Sequence, residues 1–255
     1  DIQPMLDVRL FRNTVFTGAI TANLISMMVD VGFIYFASQH LQLVSGLPPM
    51  YAGMLLIPGT LATIIAGLVI ARVAVHFHPA QVVSFGLALN AAAFAVLAFL
   101  GAHSDVVIIL IFIVLGTGIG IAQTISNDLM LSSVPPRKAG AASAISETSY
   151  ETGAVLGTVI IGGMLTAVYR ANVVVPDGLD ETLADHAHET LGGAVTVASQ
   201  VGGEQANQLL SSAFAAFDSG VVLSSAFSAV LMGVMAVISY FMIRKAPREM
   251  KPADH

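Results

Sequence analysis

The chain has 255 residues, of which 56% are hydrophobic and only 10% charged, and its formal net charge is -6. A soluble domain carries roughly 25% charged residues, so there is too little polar side chain here to cover a water-soluble globule. A cytoplasmic enzyme, a nucleic-acid binder and a disordered chain are excluded, and the absence of cysteine removes a disulfide framework and any thiolate metal site.

Residues 1–13, DIQPMLDVRLFRN, carry Arg9 and Arg12 and read as a cytoplasmic linker between helices, so the chain is expected to be a piece of a longer protein. Beyond it, charges are sparse enough for spans to be read between them. Residues 31–71, 73–104, 106–127, 152–169 and 219–243 hold no Asp, Glu, Lys or Arg. Pro and Gly punctuate these runs. The pattern predicts membrane helices over about 14–44, 51–76, 81–102, 106–134, 139–169 and 219–243. Each meets the ~17–25 residues needed to cross a bilayer. A cytoplasmic tail, 244–255, follows the last.

Lys and Arg set the orientation. Arg9, Arg12, Arg72, Arg137, Lys138, Arg244, Lys245, Arg248 and Lys251 fall on one side of this alternation and only Arg170 on the other. Both termini of the segment are therefore expected in the cytoplasm, in a multi-pass plasma-membrane protein. Tyr51, Tyr169 and Tyr240 fall at predicted helix ends, where an amphipathic ring suits the interface. The segment 171–218 carries Asp177, Asp180, Glu181, Asp185, Glu189, Glu204 and Asp218 and does not span. Its two stretches, LDETLADHAHETLGGAVTVASQ and GGEQANQLLSSAFAAFDSG, show apolar residues at three- and four-residue spacing. They predict an extracellular helical hairpin broken at Gly202 and Gly203. His186 and His188 on this segment lack a third ligand and make a weak metal signal.

GTGIGIAQ, with Gly116, Gly118 and Gly120, fails the dinucleotide-binding pattern because Ile121 stands where the third Gly is required and no strand precedes it. Close helix packing through small residues explains it, and Gly153 with Gly157 forms a second such step. No cofactor is expected. No set of nucleophile, base or metal ligands lies in the spans, so a membrane enzyme is not the reading.

The acids inside predicted spans carry the functional signal. An Asp at membrane depth costs at least ~2.5–3.5 kcal/mol and persists where it faces a bundle interior or a wet cavity. Asp30 lies deep, with long uncharged flanks. Asp128, beside Asn127, is closer to a helix end. Glu147 and Glu151 are four residues apart on one helix, with Cβ atoms roughly 5–6 Å apart, and Tyr150 shares much of their face. Apart from Arg72 near the end of the second span, no Lys or Arg lies inside a span to neutralise them. Two carboxylates this close in low dielectric are expected to share a proton that leaves when a cation arrives.

PMLDVRLFRN, SQHLQLVSGLPPMYAGMLLIPG and VPPRKAGAASAISETSYETGAVLGTVIIGGMLTAVYR together resemble the C-terminal half of the fourteen-helix drug:proton antiporters of the major facilitator superfamily, the QacA-, LfrA- and EmrB-like exporters. The resemblance covers essentially the whole chain. It implies an all-α fold of six membrane helices, half of a major facilitator bundle. It also implies acids on the helix holding Glu147 and Glu151 that handle drug and protons. The family motifs of the N-terminal half are missing, apart from a degraded relative at Gly67 to Arg72. The implied partners are cationic amphiphiles such as antiseptics, dyes and antibiotics, protons, the lipid bilayer and the absent N-terminal helices. On this reading Glu147, Glu151 and Asp30 couple protons, and Asp30, Met27, Asn127, Asp128, Glu147, Tyr150 and Glu151 meet substrate. Met28, Met54 and Met130 add adaptable apolar contact. The alternatives are an exporter of neutral or acidic compounds or of lipids, and a non-transporting sensor with the hairpin as ligand domain. With cysteine introduced singly into intact cells, an impermeant thiol reagent is expected to label position 180 and spare position 248; the reverse pattern would invert the orientation.

Overall fold

A computed structural model describes residues 8–246. The expected linker and tail are thus described only in part, and the side chain of Arg9, with Arg248 and Lys251, lies outside the described residues. All regular structure among the described residues is helical. α1, Thr14–Gln39, continues as a π-helical turn, His40–Val44. α2 is Pro49–Val73, α3 is Pro79–Leu100 and α4 is Asp105–Ser132. α5, Ala139–Leu156, runs through a π-helical turn, Gly157–Gly162, into α6, Gly163–Asn172. Two short helices follow, α7 at Glu181–Glu189 and α8 at Leu191–Val201, and then α9, Gly203–Ile243. Six of these segments are long and apolar enough to cross a membrane. The fold is the half-bundle read from the sequence.

Local chemistry sets the ends. Asn13 caps α1, its side-chain oxygen accepting from the Val15 and Phe16 amides at 3.0 and 3.4 Å. Its amide nitrogen donates to the Ser133 carbonyl at 3.1 Å, tying the start of α1 to the end of α4. Pro49 and Pro79 sit in the first turns of α2 and α3, where a missing N–H costs nothing. The described basic side chains Arg12, Arg72, Arg137, Lys138, Arg244 and Lys245 share one end of the bundle, the basic end. The other is the hairpin end.

The last helix departs from expectation. It begins at Gly203, sixteen residues before the predicted start at 219, so the stretch expected as the second hairpin arm is continuous with the final span. Nothing between Gln205 and Ser219 breaks a helix, and Leu209, Ala213, Ala216 and Phe217 are buried along it. At 41 residues, α9 is roughly 60 Å long, about twice the hydrocarbon thickness. The break falls at Gly202 and Gly203, both at φ +63°, a conformation only Gly adopts freely. Tyr169 also differs from its expected interfacial place. It is buried, and its hydroxyl donates to the Ala187 carbonyl at 2.8 Å, docking α7 on the bundle. Met28 and Met130, expected to meet substrate, lie in the packed core.

Glycines make the seams. A Cβ on Gly116 or Gly120 of α4 would collide with the Gly59 or Thr63 carbonyl of α2, and one on Gly118 would meet Gly86 and Asn90 of α3. The GTGIGIAQ run therefore packs α4 on two helices at once. Across the α1–α5 seam, a methyl on Gly153 would stand 2.5 Å from the Leu24 carbonyl oxygen, and one on Gly157 would collide with that of Met28. Near the hairpin end the core is aromatic, with Phe33 stacked on Phe112 at 5.2 Å between centroids. α2 is the least covered span; Met50, Met54, Ile57, Ile64 and Leu68 are all exposed.

Gly157→Val is expected to part this seam and lower stability by about 1–3 kcal/mol, the usual cost of overpacking. Gly163→Val, where an added Cβ meets nothing, should change little. Thermal unfolding of the two variants in detergent, followed by circular dichroism, checks the contrast.

Candidate functional site

The α1–α5 seam fixes the level of each acid. Leu24 lies against Gly153 and Met28 against Gly157, so Asp30 stands level with residue 159, in the π-helical turn. Glu151 is eight residues below that point, roughly 12 Å nearer the basic end. The structure does not gather the three acids at one point. Asp30, on α1, is half-buried, and no hydrogen bond or ion pair from a described residue reaches it. Met27, half-buried, packs by its Cβ beside Gly153.

Glu147 and Glu151 are both exposed on one face of α5. Ser143, Ala144, Thr148 and Thr152 share that exposure. A surface of carboxylates, hydroxyls and small residues is unlike the bare aliphatic face of α2 and does not suit lipid. No hydrogen bond or ion pair from a described residue reaches either carboxylate. Asp128, exposed near the basic end of α4, also lies off the packed core.

Between these acids the structure builds a polar chain that the sequence revealed only in part. Asn127 on α4 and Tyr150 on α5 are hydrogen-bonded, the Asn127 amide nitrogen lying 2.9 Å and its oxygen 3.1 Å from the Tyr150 hydroxyl. Asn23 on α1, absent from the sequence reading, donates to the Asn127 oxygen at 2.9 Å. Its own signal was an amide seven residues below Asp30, on the same face of an otherwise apolar helix. The chain joins α1, α4 and α5, the three helices that carry Asp30, Asp128 and the glutamate pair.

A second polar cluster, also missed, lies at the hairpin end. His40 Nε2 is 3.2 Å from Asp105 Oδ1, which also accepts from the Ser45 hydroxyl at 2.5 Å. Asp218 of α9 accepts from the Ala102 amide at 2.6 Å and lies 3.6 Å from His103 Nε2. These residues line an open cleft of about 870 Å³. Its signal in the sequence was the HSD run at 103–105, a polar link between two apolar helices. Among the described residues no three His, Cys, Asp or Glu side chains form a metal-binding group, and His186 and His188 find no third ligand.

The family model described as Major Facilitator Superfamily matches residues 3–158. The chain is 45% identical to the multidrug efflux pump LfrA of Mycolicibacterium smegmatis over 92% of its length and 47% of that protein's. It is 32% identical to the methyl viologen resistance protein SmvA of Salmonella typhimurium, over 96% of this chain and 50% of that protein. The tetracenomycin C resistance and export protein of Streptomyces glaucescens is 25% identical over 99% of this chain and 48% of its own. The chain thus spans about half the length of the curated relatives it matches.

Asp218→Ala removes the acceptor for the Ala102 amide at the end of α3. The expected loss is about 1–3 kcal/mol, measured as a lower midpoint of thermal unfolding in detergent. Asp218→Asn, which keeps an acceptor, should retain most of the stability.

Proposed function

The chain belongs to the major facilitator superfamily, and from that premise we propose that it is one six-helix half of an exporter that moves amphipathic cationic compounds out of the cell in exchange for protons. Superfamily transporters are built from two such halves that rock around a midplane site. The basic end faces the cytoplasm and the hairpin end the outside, following the Lys and Arg distribution. The relatives named for multidrug efflux, methyl viologen resistance and tetracenomycin C export support the drug-exporting half of this reading.

The observation that carries the cation and proton assignment is the exposed face of α5. Glu147 and Glu151 stand there four residues apart, with no cation from a described residue beside them, on a helix surface too polar for lipid. On this reading a proton and the cation compete for the same two carboxylates. An arriving cation stabilises the ionised pair, and the proton leaves. By linkage, protonation must weaken cation binding to the same degree that the cation expels the proton. Asp30, deeper along α1 and also unpaired, is a second carboxylate available to the same exchange. Met27, Asn127, Tyr150 and Asp128 line the route between these levels.

In the full-length transporter, affinity for a monovalent organic cation should rise as pH rises from 5.5 to 8.5, by about tenfold per pH unit where one proton is displaced. Glu151→Gln and Glu147→Gln should each flatten the profile and reduce proton release on binding. The double substitution should leave only the part carried by Asp30. Equilibrium binding with proton-release measurements checks this. Four identical profiles from folded, inserted protein would make the pair structural. Export of neutral or acidic compounds with no pH-dependent cation binding would favour the rival exporter.

A further inference from the structure

We propose that the cleft between the start of α3 and the end of α9 holds the phosphate of an anionic membrane lipid, whose acyl chains lie along the uncovered face of the same two helices. This site is separate from the acidic face of α5 and does not depend on which compound the transporter carries.

The cleft lies at the basic end, measures about 290 Å³ and is lined by His78, Gln81, Tyr240 and Arg244. Each of the four keeps a donor. The Ala80 amide donates to His78 Nδ1 at 3.2 Å, so the ring hydrogen sits on Nε2. The His78 amide donates to Gln81 Oε1 at 3.4 Å, so the amino group of the Gln81 side chain is the end left unbonded. The Tyr240 hydroxyl and the Arg244 guanidinium meet no hydrogen-bond acceptor among the described residues. Arg244 lies over the Phe241 ring, 5.2 Å from its centroid, so a ring face and not a carboxylate steadies its charge. No Asp or Glu lines the cleft. Four donor-bearing side chains, one of them permanently charged, around a space without an acid are complementary to a phosphate.

The level of the cleft selects a lipid over a soluble anion. α3 has 22 residues and is roughly 33 Å long, close to the hydrocarbon thickness, so its first turn stands at the headgroups. The half-exposed ring of Tyr240 suits the same boundary. Phe85, four residues beyond Gln81, and Val237, three before Tyr240, lie one turn deeper on the faces of those lining residues. Both are exposed, and α3 and α9 pack side by side along this stretch. Hydrogen-bond donors at the boundary and bare apolar side chains just beneath them match the two parts of a phospholipid. Basic clefts between membrane helices on the cytoplasmic side are where acidic headgroups bind.

The test uses the full-length transporter in phosphatidylcholine vesicles, with brominated phosphatidylglycerol as the probe, since bromine quenches a Trp that it touches. Residues 1–255 contain no Trp, so Phe85→Trp places a reporter beside the cleft, its emission taken as the difference from the unsubstituted protein. Brominated phosphatidylglycerol is expected to occupy the site about fivefold more strongly than brominated phosphatidylcholine, the worth of one Arg beside an acidic lipid. Arg244→Ala should remove the preference. Lys245→Ala, whose side chain does not line the cleft, should keep it. Should Phe85→Trp yield too little folded protein, Val237→Trp reads the same site. Equal quenching by the two lipids would overturn the proposal. So would an equal loss of preference in the Arg244 and Lys245 variants, which is the mark of diffuse surface charge. Relief of quenching by inorganic phosphate, beyond that given by sodium chloride of equal ionic strength, would assign the cleft to a soluble anion and overturn the lipid as its occupant.

Discussion

Contact between helix backbones at glycine is the interaction on which the rest of this structure depends. Helices in lipid gain nothing by hiding apolar side chains from one another's surroundings, since lipid tails are equally apolar. They associate through close packing and interhelical hydrogen bonds. α4 shows how a few residues supply that packing. Gly116 and Gly120, one turn apart, admit the α2 backbone at Gly59 and Thr63, while Gly118, on the opposite side, admits α3 at Gly86. Three glycines in alternate positions let one helix serve as the wall between two others. The same device at Gly153 and Gly157 sets α5 against α1, and that register alone decides how high Asp30 stands above Glu151.

The seams also divide labour among the side chains. The candidate polar residues of α1, α4 and α5 stand beside the α1–α5 seam. Asn23, Asn127 and Tyr150 form a hydrogen-bonded layer among the three helices that carry the half-buried and exposed acids. Glu147 and Glu151, one step further round α5, are left on its uncovered face. The packing that excludes water from the α1–α5 contact is thus what leaves the carboxylates facing outward from the half-bundle.

The spans were legible in the sequence because charge at membrane depth is expensive, so uncharged runs mark the helices and their ends fall within a few residues of the observed ones. The same rule misplaced the start of the last helix. Glu204 and Asp218 set that stretch apart as a separate arm of an extracellular hairpin, yet charge reports distance from the hydrocarbon and not where a helix begins, and α9 continues past the hydrocarbon as one rod. The acids of the candidate site were legible for the same energetic reason. Asn23 was not, since an uncharged amide costs too little to stand out among small residues. Nor were the His40–Asp105 and His103–Asp218 contacts, which form between segments distant in sequence and depend on how α1, α4 and α9 meet at the hairpin end.

The difference in level between Asp30 and the glutamate pair shapes how the proposed exchange works. Coulomb interaction falls with distance, so across roughly 12 Å two carboxylates influence one another at most about half as strongly as across 6 Å, before any screening. In the proposed exchange Glu147 and Glu151 would therefore act together, while Asp30 would answer mainly to what lies beside α1. A cation held at the pair leaves Asp30 largely free, and a proton taken up at Asp30 does not by itself discharge the pair. What links the two levels is the Asn23–Asn127–Tyr150 layer, because Asn23 stands on the helix of Asp30 and Tyr150 on the helix of the pair. Any motion that slides this glycine seam would reset both sites together.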